Sequence, residues 1–220
     1  MKTYNDYKDS EISWLDKIPS HWKEVKLKRE FEFTVGGTPT SGNANYYADN
    51  ENEGFKWATI GDIKGKTINE TSSYVSKEGI RNTSMKLIPK GSLLFSFKLS
   101  IGQVAFTEDD MYTNEAIASF EVDKNINNLK YFYYALPIYV VQNANENIYG
   151  AKLLNQELIK NAYIAIPPIE EQEYLAEFLD EKISNIDELI LLIENQIEVI
   201  EKAKKRLILE VVTGKRRVVN

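Results

Sequence analysis

Apolar residues recur at alternating steps of four and three toward the end of the chain. Leu179, Ile183, Ile186, Ile190, Ile193, Ile197, Ile200, Leu207 and Val211 form one row, with Lys204 at its single polar position. This is a heptad seam. Glu170, Glu171 and Glu173 fall in its first turn and Lys202 to Arg206 toward its end, the order that a helix macrodipole favours. Pro167 and Pro168 set the start and Gly214 follows as a C-cap. A helix from about Glu170 to Thr213 runs roughly 60 to 65 Å at 1.5 Å per residue. No single small domain covers a stripe of that length, so the pattern predicts a partner helix.

The preceding residues carry a different signature. Short β-prone runs occur at Phe31 to Val35, Lys56 to Ile60, Ser92 to Phe97, Gln103 to Phe106 and Ala116 to Val122, separated by turn residues. Between Asn128 and Asn143, aromatic and aliphatic residues recur at helical spacing around Pro137, which predicts a buried helix interrupted or bent there. Ten glycines are spread from Gly36 to Gly150 and none lies within the proposed long helix. The expected fold is therefore α+β (mixed): a globular domain over 1–167, then a long coiled-coil α-helix over 168–220. A solitary heptad helix on one domain reads as half of something symmetric.

Composition narrows the chemistry. The 220 residues are 43% hydrophobic and 27% charged, enough for a buried core. There is no cysteine, so disulfides and thiolate metal sites are excluded, and the composition suits a reducing cytosol. With no signal-like N-terminal stretch and no apolar run near the ~20 residues of a membrane span, the chain is expected to be cytoplasmic, without a membrane partner. The net charge of −6 argues at first against nucleic acid. Its distribution changes that inference. Residues 55–105 hold eight Lys/Arg against three acids, residues 170–201 eleven acids against one Lys, and residues 202–217 seven basic residues against one acid.

Catalytic constellations are sparse. His21 is the sole histidine, no serine sits in a nucleophile elbow, and no ligand-spaced carboxylate cluster is apparent, so no catalytic residue, metal or cofactor is expected. The acid pairs Asp109/Asp110 and Glu170/Glu171 read as solvated faces. The sequence also lacks the Asn/Asp-Pro-Pro-Tyr/Phe tetrapeptide and the glycine-rich methyl-donor loop of amino-methyltransferases. The loop GGTPTSG (36–42) lacks the GK[ST] ending of a nucleotide site. Two readings of it stay open: a flexible turn, or a loop whose amides and hydroxyls, Thr38 and Thr40 among them, approach DNA phosphates. Lys64, Lys66, Lys98, Ser100, Asn114, Asn145, Tyr149 and Lys152 are loop-placed groups of the types that read base edges, and each is also an ordinary surface residue type.

Several segments carry a resemblance when taken in order: WLDKIPSHWKEVKLK (14–28), GGTPTSGNANYY (36–47), WATIGDI (57–63), GSLLFSFKLSIGQVAF (91–106), NEAIASF (114–120), IPPIEEQ (166–172) and the terminal LILEVVTGK. Together they resemble the specificity subunits of type I restriction-modification systems, over nearly the whole chain. The resemblance implies a DNA target recognition domain followed by a spacer helix, with catalysis on partner DNA methyltransferase and restriction/translocase subunits. S-adenosylmethionine is then expected on the methyltransferase alone. Family members carry two recognition domains and two helices in tandem, whereas one of each is present here. The unpaired seam then predicts a homodimer, two-fold pairing through Leu179 to Val211 and an inverted-repeat target on double-stranded DNA. A coiled-coil scaffold that binds only protein is the competing reading.

Overall fold

A computed structural model describes residues 3–121 and 128–218. Val122, the last residue of the fifth predicted strand run, lies outside them. The elements run as strands β1 (Tyr7–Asp9), β2 (Lys17–Pro19), β3 (Lys23–Lys26), β4 (Phe33–Val35), β5 (Tyr47–Ala48), β6 (Phe55–Ala58), β7 (Thr67–Ile68) and β8 (Tyr74–Val75). After helix α1 (Lys77–Thr83) come β9 (Leu93–Ser96), β10 (Val104–Thr107), β11 (Tyr112–Thr113) and β12 (Ile117–Phe120). Helix α2 (Leu129–Gln142), hairpin strands β13 (Asn145–Glu146) and β14 (Lys152–Leu153), α3 (Gln156–Asn161), β15 (Tyr163–Ile166) and α4 (Ile169–Val212) complete the chain. All five predicted runs overlap a strand. The two-residue strands were not predicted, because two positions cannot display an alternation.

A five-stranded sheet of order β4-β12-β9-β10-β7 forms the centre, antiparallel except for the parallel β10–β7 pair. Its middle strand explains its sequence. Leu93, Leu94, Phe95 and Ser96 are all buried, because both faces of β9 are covered, so the strand reads as a continuous apolar run. One face packs Leu94, Ala105 and Ile117 against Ala58, Ile63, Ile68, Ile88 and Met111. On the other, α2 lies against β9 and β10, and Phe31 packs edge-on against Phe120 and Phe132. A second sheet, β11-β6-β8-β5, adds Trp57, Val75 and Met85.

Of the two outcomes expected at Pro137, an interruption or a bend, the interruption is corrected: α2 runs continuously from Leu129 to Gln142 through the proline. Proline removes one helical hydrogen bond and costs about 3 kcal/mol in a helix interior. Tyr131, Phe132, Ala135, Leu136 and Val140 are buried on this helix. At about 1.5 to 3 kcal/mol for each large side chain, that burial exceeds the local penalty.

By its contacts the chain divides into two units, Met1–Glu173 and Tyr174–Asn220. In the first, the opening turn of α4 is latched. The buried Gln172 donates from Nε2 to the Pro167 carbonyl at 2.8 Å, and its Oε1 accepts from the Asn128 amide at 2.8 Å. Glu171 accepts hydrogen bonds from Tyr4 and Trp22 and lies 2.7 Å from His21 Nε2. Partial burial pushes the Glu171 carboxyl up, but those hydrogen bonds outweigh it and hold the group below its usual range. In the second unit, the helix ends on Gly214 at φ +70°, whose amide donates to the Val211 carbonyl, as the predicted C-cap requires. Seam residues Ile183, Ile186, Ile190, Ile193, Ile197, Ile200 and Leu207 are exposed, while Leu179 and Val211 are half-buried. Among the described residues, no helix is long and apolar enough to cross a membrane.

Candidate nucleic-acid interface

Strand register decides which loops meet. Val35 at the end of β4 pairs with Ala118, and Ile117 at the start of β12 pairs with Ser96 at the end of β9. Val104 opens β10 opposite Phe95, and β7 runs parallel to β10. The loops after β4, before β12, between β9 and β10, and before β7 therefore open at one end of the sheet. They carry Thr38, Thr40, Asn114, Lys98, Ser100 and Lys64. Helix α2 delivers the β13–β14 hairpin, with Asn145, Tyr149 and Lys152, to the same end. Its Val141 lies so close to Gly102 that a Cβ there would sit 3.0 Å from Val141 Cγ2.

Each loop is pinned. Gly36 packs its backbone against Thr113, where a Cβ would fall 2.0 Å from the Thr113 carbonyl oxygen, so only glycine fits. The Gly37 amide donates to Thr113, Trp57 Nε1 donates to the Gly37 carbonyl at 3.0 Å, and the Tyr47 hydroxyl donates to the Pro39 carbonyl at 3.0 Å. Hydrogen bonds thus hold the loop from Gly37 through Thr40. Thr38 donates to Glu115, which lies 4.0 Å from Lys98 Nζ, and Thr40 donates to Asn82. The Thr38 hydrogen bond, opposed by partial burial and aided by Lys98, holds the Glu115 carboxyl below its usual range. Asn114 shapes the turn into β12, its Oδ1 accepting from the Ala116 amide at 3.1 Å.

The WATIGDI segment is organised by Asp62. One carboxylate oxygen accepts from both the amide and the hydroxyl of Thr59 at 2.8 Å, and the other accepts from the Ser72 amide at 2.9 Å. Burial pushes this carboxyl up, and the hydrogen bonds from Thr59 and Ser72 outweigh it, leaving the group below its usual range. The exposed Lys64 follows directly, its amide bonded to the Asp62 carbonyl. Lys66 does not join the cluster. Its ammonium lies over the rings of Tyr133 and Tyr134 at 5.5 and 5.8 Å. It lines a cavity of about 740 Å³ with Pro89, Lys90, Ser92 and Glu121, toward the opposite end of the sheet.

Some features escaped the sequence reading. In the β9–β10 loop, Leu99 is 93% exposed at φ +58°, and in the β13–β14 loop Ile148, next to the candidate Tyr149, is 90% exposed. A left-handed conformation costs a residue like leucine roughly 1 to 2 kcal/mol. The available signal was an aliphatic residue between Lys98 and Ser100 in the turn KLSIG. On α4, Leu189, Leu192 and Val199 form a second exposed apolar row outside the seam. A seven-residue spacing from Leu192 to Val199 would have revealed it.

A mixed sheet domain with loops gathered at one end is thus followed by a long helix. The family model described as type I restriction modification DNA specificity domain matches residues 19–202, and the chain belongs to that family. The chain is 25% identical to the type I restriction enzyme MjaIX specificity subunit of Methanocaldococcus jannaschii, covering 90% of this chain and 44% of that protein. It is 24% identical to the EcoBI specificity subunit of Escherichia coli, covering 94% and 42%. It therefore spans less than half the length of these relatives. The fold matches the HsdS subunit from Thermoanaerobacter tengcongensis with a TM-score of 0.59 at 17% identity, over 78% of this chain and 40% of that one. The S subunit from M. genitalium matches at 0.52 and 15% identity, over 87% and 44%.

The Asp62 hydrogen bonds predict a pH signature. Because its folded-state pKa is lowered, its contribution is complete above the ordinary carboxylate range and is lost as pH falls through the lower folded value. Asp62→Ala is expected to cost about 1 kcal/mol at neutral pH, with the gap to wild type closing below about pH 4. Thermal melts across pH read both quantities, and a gap that stays constant in acid contradicts the assignment.

Proposed function

We propose that this chain is a non-catalytic DNA-reading module that acts as a pair. Two copies join through the seam from Leu179 to Val211, and each domain reads one half of a split, inverted-repeat site for an associated DNA methyltransferase. The observation that carries this reading is the convergence of Lys64, Lys98 and Lys152 with Thr38, Thr40, Ser100, Asn114 and Tyr149 at one end of the sheet, in a chain of the DNA specificity family. Lysines there neutralise phosphates, and the hydroxyl, amide and phenol groups offer donors and acceptors to base edges. The overall charge of −6 is no obstacle, because much of the acid lies in residues 170–201.

The second copy answers a physical need. A row of isoleucines half-exposed along one helix calls for a partner helix, and relatives more than twice as long as this chain have room for a second such segment. Antiparallel pairing under a two-fold axis sets two identical readers apart, so helix length governs spacing and domain loops govern sequence. The second row, Leu189, Leu192 and Val199, favours a further helical partner, for which a methyltransferase subunit is the natural occupant. S-adenosylmethionine binds on that subunit, and a restriction/translocase subunit joins the same assembly. The basic residues from Lys202 to Arg217 supply dipole complementation or a docking surface.

Combined replacement of Lys64, Lys98 and Lys152 by Ala is expected to weaken DNA binding and to reduce the slope of log affinity against log salt by about 2 to 3. Binding titrated across salt reads this, and an unchanged slope, or a chain that binds only protein, contradicts the DNA-facing assignment. Ile190→Asp with Ile197→Asp is expected to convert a dimer to a monomer without lowering the melting temperature of the domain. Light scattering showing a persistent dimer contradicts the seam.

A further inference from the structure

Leu99 breaks two local rules at once. It is the most exposed of the large hydrophobic residues described, and it occupies the left-handed region at φ +58°, which glycine or asparagine adopts with less strain. The loop is not slack. Ser96, fully buried at the end of β9, donates to the Ser100 carbonyl and accepts from the Gln103 amide at 3.0 Å, while its own carbonyl accepts from the Gly102 amide at 2.9 Å. The Leu99 carbonyl accepts from the Ile101 amide at 3.0 Å. A rigid hairpin therefore presents one apolar side chain to water, between Lys98 and Ser100, at the sheet end where Lys64 and Lys152 also gather.

We propose that Leu99 is an apolar base-contacting residue of the DNA interface. Lys98 engages phosphate beside it, and the leucine enters the groove next to Ser100 and excludes water from the bases. The inference rests on the DNA-reading function proposed above and adds to it a residue that reads without charge. Charge complementarity selects the occupant: the Glu115 carboxylate near Lys98 accepts from Thr38, and the lysines at this end, Lys98, Lys64 and Lys152, leave a net cationic surround that suits a phosphate backbone rather than an apolar protein groove. Apolar side chains meet DNA at thymine methyl groups or as wedges between base steps, and neither contact releases counterions. The contribution of Leu99 is thus separable from that of its lysine neighbours by salt.

Leu99→Gly and Leu99→Asn both keep the left-handed backbone with less strain and remove the apolar contact, so both are expected to melt at or above the wild-type temperature. The test uses each protein in complex with the DNA methyltransferase subunit, a duplex carrying the site that the wild-type complex methylates, and a mixed-sequence duplex. On the methylated site both variants are expected to bind about tenfold more weakly or worse at every salt concentration, with the wild-type salt slope. On mixed-sequence DNA they are expected to match wild type. Wild-type affinity for the site, an altered slope, or an equal loss on mixed-sequence DNA overturns the proposal while leaving the DNA-reading function standing. A wild-type complex with no preference for any site over mixed-sequence DNA overturns both.

Discussion

The buried strand Leu93–Ser96 is the constraint on which the recognition domain depends. Both its faces are covered, so a one-residue slip would exchange the side chains facing Ile88 and Met111 with those facing α2. That fixed register sets the ends of its neighbours, and the neighbours' ends are the loops. Thr38, Lys64, Lys98 and Asn114 are far apart in sequence and reach one edge only because β4, β7, β10 and β12 align around this strand. Ser96 extends the same logic outward, since a side chain locked in the core also ties down the loop that displays Leu99.

The long helix answers to a different constraint. Its first turn is held by Gln172 and Glu171 through hydrogen bonds to Pro167, Asn128, Trp22 and Tyr4, whereas farther along the helix Ile186, Ile190, Ile193, Ile197 and Ile200 are exposed. Isoleucines near 50% exposure, such as Ile190 and Ile197, lose hydrophobic stabilisation for as long as they stay unpaired. Under the function proposed above, the sheet domain and the exposed rows of the helix are complementary parts of one device.

The sequence revealed most where a period repeats often enough to be counted. The heptad row placed the helix and its cap at Gly214, and the apolar runs placed the central strands. Two-residue strands such as Thr67–Ile68 were invisible because they are defined by partners, not by pattern. Pro137 was legible in part: its local penalty shows in the sequence, whereas the burial of Phe132 and Leu136 that carries the helix through it is tertiary. Among the interface candidates, residue type selected Lys64 and Lys98 but could not separate them from Lys66, whose ammonium lies over two tyrosine rings. Leu99 was missed because reasoning by donors and acceptors passes over an aliphatic side chain, and its φ of +58° is a property of the folded loop alone.

The most direct test of the central claim is a methylation map. The chain is mixed with the DNA methyltransferase subunit and S-adenosylmethionine on DNA of mixed sequence, and modified positions are located by sequencing. Two identical readers joined by a two-fold predict methylation at an inverted repeat with a spacer of fixed length. An asymmetric site, or modification without sequence preference, contradicts the account.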